Sequence, residues 1–495
     1  MKRVITCALL IVTIMGFSNI AFAQEKPKVD FKFNGVYTAW GQYQNDFTLG
    51  KSDYEDHYIV QMFRLNFAFL YEDYIKAVTR FDLGQGWWGV DNQPPSYNGA
   101  SGLFDNKDTN FFLHVDHAYL WFNWKDLNTA FTVGRFNWSV GNKLVLDNNW
   151  DGITADIKIS DDNLKLGWSK ISEGVNGTSD LEKVAPDPRG NYDARDANLF
   201  LAQFDTKFDN TNLQIYGMYY NDAGIDDSTA FLIDGLFYNR PRFTPQVTSL
   251  GIVGVAGKSK FGKLSLDYEA NYLFGKDEVN NTTYAGMLNT SDGSKIDALK
   301  YDINNGDLSG YNIYVKLGYP VSEAVTLGFA AGMGSGDDDP TGGEGNVNKL
   351  RTSGFFYMTE IWEDSIMPDE EGITPQGLGA PNIRAYRELE NTTAIQANVT
   401  FNITDCWKFF TSFTYLTATQ PIFAWTAAGP DLTKSASDIG YEIDFKTDYN
   451  IYKNLALSFR GGWFFPGIGG QYLINGTDGN DDPAWELKTT ITFTF

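Results

Sequence analysis

Hydrophobic and polar residues alternate along most of this chain with a period of two. The segments "FKFNGVYTAWGQY" (31 to 43), "FRLNFAFLY" (63 to 71), "YIKAVTRFDLG" (74 to 84) and "KLSLDYEANYLFG" (263 to 275) each place apolar side chains on one side and polar ones on the other. So do "YNIYVKLGY" (311 to 319), "AIQANVTFNI" (394 to 403) and "IGYEIDFKTDYNI" (439 to 451). This is the pattern of amphipathic β-strands. The segment "WELKTTITFTF" (485 to 495) continues it: Trp485, Leu487, Ile491, Phe493 and Phe495 share one face, and Glu486, Lys488 and the even-numbered threonines share the other. Runs of about ten residues are what a tilted strand needs to cross a bilayer.

The links between these runs carry further information. Short ones fall at "YEDY" (71 to 74), "WKDLN" (124 to 128), "SDDN" (160 to 163), "FDNTN" (208 to 212), "SKFGK" (259 to 263), "YPVSE" (319 to 323), "TDC" (404 to 406) and "YNIYKN" (449 to 454). Between them lie longer links rich in Gly, Asp, Asn, Ser and Pro. Alternating short and long links describe a transmembrane antiparallel β-barrel with short periplasmic turns and long extracellular loops, in which the apolar face looks outward to lipid. Aromatic residues flank the short turns (Tyr71, Tyr74, Trp124, Phe208, Phe261, Tyr319, Trp407, Tyr449 and Tyr452) and are expected to form a girdle there. A soluble β-sandwich has no reason to keep two link lengths in alternation over the whole chain.

Eight short turns pair sixteen strands, and an opening strand (31 to 43) and a closing one (485 to 495) bring the total to about 18. The segment "SGFFYMTEIW" (353 to 362) alternates like a strand but would make the count odd. It is therefore assigned to the loop from about 335 to 389, the longest one, which is expected to enter the lumen as a constriction or plug.

The first residues, "MKRVITCALLIVTIMGFSNIAFAQ", have a basic start, an apolar run and an Ala21-Phe22-Ala23 site, as a secretory signal peptide over residues 1–23 does. Residues 24–495 then form one barrel domain. Cys7 lies inside the apolar run, so Cys406 is the one cysteine of the mature chain, which excludes an intrachain disulfide and a cysteine-built zinc site. No run approaches the length of a membrane helix. The net charge is −23, and −25 without Lys2 and Arg3, which excludes nucleic acid as a partner, while 16% aromatic residues exclude disorder.

With apolar faces outward, parity assigns the lumen. Candidate pore-lining residues are Arg64, Lys76, Arg80, Asp82, Arg135, Glu442, Asp444, Lys446 and Arg460, with charges of both signs nearly balanced along the wall. Arginine offers a fixed fork of donors to a passing carboxylate or phosphate. Arg135 breaks the rule: Phe131 and Val133 face outward, so a bulge or a strand end is required beside it to bring it into the lumen. Arg351, Arg384 and Arg387 are candidates for the constriction loop. The acidic stretches "GSGDDDPTGGEG" (334 to 345) and "NGTDGNDDP" (475 to 483) lack the spacing of a calcium loop and read as external loops that meet divalent cations at the cell surface. His114 and Asp116 of "HVDH" share one side of a strand and His117 the other, so a metal site there would need a bend. No triad is present in that strand, no cofactor is implied, and no enzymatic activity is expected.

Two stretches resemble the alginate-export-type outer-membrane porins: "FTVGRFNWSVGNKLVLDNNWDGITADIK" (131 to 158), around a VGR element, and "IGYEIDFKTDYNIYKNLALSFRGGWFFPG" (439 to 467), with FFPG after the penultimate strand. The resemblance implies an 18-stranded barrel in the outer membrane of a Gram-negative bacterium, in contact with lipid and lipopolysaccharide. Phe495 resembles the terminal signal read by the barrel-assembly machinery. Three roles are then open: a water-filled channel for small hydrophilic solutes or ions, a plugged structural or adhesion barrel acting through acidic loops, and an exporter of an anionic polysaccharide.

Overall fold

The computed structural model describes residues 29–53, 55–88, 113–172, 197–222, 247–277, 288–289, 295–296, 306–338, 352, 354–362, 389–426 and 429–495. The expected signal peptide and Arg351, Arg384 and Arg387 lie outside the described residues. The barrel strands are β1 Val29–Asn45, β2 Glu55–Tyr71, β3 Ile75–Trp87, β4 Leu113–Trp124, β5 Thr129–Ser139 and β6 Asp147–Ile159. They continue as β7 Asp162–Ser172, β8 Ala197–Phe208, β9 Thr211–Asp222, β10 Val247–Phe261, β11 Leu264–Asp277 and β12 Gly306–Pro320. The last six are β13 Val325–Gly334, β14 Thr392–Thr404, β15 Trp407–Thr426, β16 Gly429–Tyr452, β17 Leu455–Pro466 and β18 Ala484–Thr494. A separate two-stranded pairing, Leu288 with Ile296 and Asn289 with Lys295, stands outside this sheet.

Each strand pairs antiparallel with its neighbours in sequence, and β1 pairs with β18 from Val36↔Thr494 to Asn45↔Trp485, which closes one 18-stranded sheet. Closure leaves no edge with unmet backbone groups. At the seam Phe495 exchanges two backbone hydrogen bonds with Gly35, at 2.9 and 3.1 Å. Its ring lies over Gly35, where a Cβ would come within 2.5 Å of it, and packs on Phe33 and Phe63.

One end of the barrel carries all eight short turns foreseen from the sequence. Several hold a residue in the left-handed region: Glu72 (φ 52°), Asn128 (φ 48°), Ser160 (φ 58°), Asp209 (φ 46°) and Gly262 (φ 61°). Tight hairpin turns need positive φ to follow the strand twist, and Asn, Asp and Gly tolerate it best. Trp124, Phe208, Phe261, Tyr319, Trp407, Tyr449 and Tyr452 are exposed around this end, and Phe31 and Phe33 of β1, Ile59 and Phe69 of β2 and Leu487, Ile491 and Phe493 of β18 are exposed on the outer face.

The opposite end departs from strict alternation. β15 and β16 run on for 20 and 24 residues and stay paired as far as Thr426↔Gly429, so the long link expected there is largely strand. Its pairing slips at Leu416/Thr417 and Phe423/Ala424. Inside the same end the links fold inward. Residues 140–146, residues 354–362 and a helix, α1 (Ile468–Asn475), pack against inward side chains of the wall. Trp138, Leu144, Leu146, Trp362, Phe464, Leu473 and Ile474 are buried together there. Each such burial contributes about 1.5 to 3 kcal/mol. Residues 354–362 form no strand. The helix sits close to the wall because Gly470 lacks a side chain: a Cβ would lie 2.3 Å from the carbonyl oxygen of Ile439.

Candidate functional site: the inner wall

The inner wall carries three polar clusters. The first spans β2 to β6. Arg64 and Asp82 are cross-strand partners, and the guanidinium grips the carboxylate at two points, Nε to Oδ1 at 2.7 Å and Nη2 to Oδ2 at 2.6 Å. Such a paired fork is among the stronger side-chain contacts. Arg64 also reaches Asp116 at 3.6 Å, and Arg80 pairs with Asp116 directly. Asn149 of β6 donates to Asp116 and faces His117 Nε2 at 3.2 Å.

Asp116 reaches this cluster through a slip in the β3–β4 register, where Arg80 pairs with His117 but Phe81 pairs with Val115. The extra residue turns Asp116, His117 and His114 toward the same side. The sequence reading, which set His117 on the face opposite His114 and Asp116, is corrected by this bulge. Asp82, His114 and Asp116 bring ligand-type atoms within 4.8 Å of one another. Their two carboxylates are already engaged by Arg64 and Arg80, which supply the positive charge a cation would otherwise bring.

The second cluster lies on β14 to β18, under residues 354–362. Glu442 is fully buried and accepts the backbone N–H of Ile361 at 2.6 Å and of Trp362 at 2.9 Å, one on each carboxylate oxygen. Gln396 donates to the Met358 carbonyl at 2.7 Å, Arg460 Nε lies 3.5 Å from Glu360, and Trp362 stacks on Phe464 with centroids 5.0 Å apart. Asp444, beside Glu442, accepts from Ser412 Oγ at 3.1 Å. Both acids face inward as parity required, but they are covered by the infolded segment and do not line open water; the pore-lining assignment of Glu442 and Asp444 is corrected accordingly. Lys446 remains half exposed, 3.6 Å from Asp448. Nearby, Lys488 and Glu486 pair at 3.1 Å with almost no exposure, and Gln42 and Gln44 donate to the same glutamate.

The third cluster, on β9 to β12, anchors residues 140–146. Glu269 accepts from Tyr216 at 2.9 Å, from Asn271 at 2.8 Å and from the backbone N–H of Asn142, while Gln214 accepts from the Gly141 N–H at 2.6 Å. Two wall glutamates, 269 and 442, thus each hold one infolded link by its backbone. Neither link was foreseen as their partner, because the contacts join residues more than 75 positions apart in sequence.

Lys76 faces inward near the short turns, with its ammonium 4.4 Å from the Trp121 ring. Arg135 does not face inward. It pairs with Asp151 at 3.6 Å on the outer face, since Phe136 and Trp138 on the other parity are buried inside. Its assignment as pore-lining is corrected. At the rim, Asp46, Asp53 and Asp482 gather, and burial followed by the charges of Asp482 and Asp53 pushes the Asp46 carboxyl up.

No protein-family model matches the chain. No curated protein matches it in sequence. Solved structures do resemble the barrel. OccAB3 of Acinetobacter baumannii is similar with a TM-score of 0.50 and 8% identity, over 94% of this chain and 99% of that one. OpdL of Pseudomonas aeruginosa gives 0.49 and 11% over 94% and 99%, and OccK8 (OprE) of the same organism gives 0.49 and 13% over 94% and 98%. At such identities the likeness speaks for the fold alone.

Proposed function

We propose that this protein is an outer-membrane channel of a Gram-negative bacterium through which small hydrophilic solutes or ions diffuse passively. The observation that carries the reading is the closed 18-stranded sheet with an apolar exposed outer face and charged groups of both signs on its inner face. Lipid on one side and water on the other is the environment such a wall fits, and a barrel of this strand number is wide enough for an aqueous path. The aromatic ring near the short turns supports a periplasmic position for them. The OccAB3-like fold is consistent with the channel, and no catalytic role is assigned to the histidines. Planar-bilayer recording of refolded protein tests the reading: stepwise conductance is expected, and its absence from folded protein overturns it.

Residues 354–362 favour a second reading, a plugged barrel, because they dock on the wall through both backbone and side chains. Excising that segment is expected to raise conductance severalfold if it constricts the path; an unchanged conductance removes that role. The likeness to alginate-export-type porins extends the proposal to an anionic polysaccharide, but the wall arginines Arg64, Arg80 and Arg460 each face an acid of the protein itself, which supports small solutes instead.

A further inference from the structure

Beneath residues 141–142, toward the short-turn end, the inner wall of β7 to β10 lines a partly open cavity of about 380 Å³. That is within the range of small-molecule sites and equals about a dozen waters at roughly 30 Å³ each. Its lining carries two acids, Asp161 and Asp205, and two ammonium groups, Lys207 and Lys258, with Asn142 and Asn163 between them.

The two central charges are held differently. Among the described residues Asp205 accepts only neutral amide donors, from Gln203 Nε2 at 3.0 and 2.8 Å and from Gln214 Nε2 at 2.9 Å. Gln214 in turn accepts the Gly141 N–H, and Gln203 is 4% exposed, so the carboxylate is fixed in place by groups that leave its charge uncompensated. Lys207, two residues along the same strand and therefore on the same face, forms no ion pair among the described residues. Lys258, by contrast, is 65% exposed and already paired with Asp267 at 3.7 Å.

We propose that this cavity is a binding subsite of the channel for small zwitterions, that is, free α-amino acids, whose ammonium is taken by Asp205 and whose carboxylate is taken by Lys207. The proposal rests on the channel reading. A singly charged solute meets one like charge for each opposite one here, and a neutral sugar leaves both wall charges without a counter-charge. A zwitterion answers both.

Liposome swelling with glycine, sodium glycolate and arabinose tests the assignment. Wild type is expected to admit glycine faster than glycolate. Asp205→Asn should lower the glycine-to-glycolate ratio about threefold or more, because the lysine then favours the pure anion, and Lys207→Gln should lower the glycine-to-arabinose ratio by a similar factor. Ratios equal to wild type in both folded variants overturn the subsite. Swelling with no solute at all overturns the channel reading instead. If Asp205→Asn does not fold, because its amide cradle is disturbed, Lys207→Gln decides alone, since that side chain forms no ion pair among the described residues: a lowered ratio supports the subsite and an unchanged one overturns it.

Discussion

Replacing Glu442 by Gln should loosen residues 354–362 from the wall without unfolding the barrel. The carboxylate accepts two backbone N–H groups, at 2.6 and 2.9 Å, in a site with no solvent exposure. A carboxamide keeps one acceptor but turns an NH2 toward the other N–H, so one bond is lost and a buried donor is left unmet. The lost bond costs about 0.5 to 1.5 kcal/mol and the unmet buried donor about 1 to 3 kcal/mol, for a combined weakening of roughly 2 to 4 kcal/mol. At 1.4 kcal/mol per decade, the undocked population rises about thirtyfold or more. The sheet itself should not suffer, because the substitution also removes one of two adjacent buried acids, Glu442 and Asp444, whose mutual repulsion opposes folding. Single-channel recording at neutral pH is the assay: Glu442→Gln should show more frequent or larger open levels than wild type. The reasoning fails if conductance and open probability match wild type while the variant keeps wild-type thermal stability, for then the two hydrogen bonds do not hold the segment.

Arg80→Ala should leave Asp116, whose side chain is 5% exposed, short of its main partner; the barrel should lose about 3 kcal/mol, read as a lower urea midpoint, and reversal potentials should shift toward cation preference. No shift in either measurement would place that pair outside the ion path. Gly35→Val should force the Phe495 ring off the seam and cost about 1 to 3 kcal/mol, visible as early loss of the compact form on unheated gels. On the turns, the hydrogen bond from Lys125 holds the Asp73 carboxyl below its ordinary value of 3.8. The tie is therefore complete above that value and is lost as pH falls through the lowered one. Since both groups are exposed, Asp73→Asn should melt like wild type at pH 7 and differ least of all in acid, and a large loss at pH 7 would contradict this.

The wall was legible because its rules are local. A period of two, turn residues suited to positive φ, and the requirement that both ends of a closed sheet emerge on one side were enough to place eighteen strands and to refuse a nineteenth at 353–362. Local rules also failed in a local way at Asp116: one extra residue flips parity, and nothing in "HVDH" marks where the slip occurs. The interior was legible only by side. Parity put Glu442 and Asp444 inside, yet what covers Glu442 comes from a link 80 positions earlier, and the "IGGQYLIN" helix is too short and too rich in glycine to announce itself. The same physics explains both outcomes. Lipid outside the barrel demands an apolar residue at every second position, whereas the interior can be filled by any link whose backbone donors find an acceptor, so buried wall acids mark where links dock, and acids held only by neutral amides, such as Asp205, mark where charge is left for a solute.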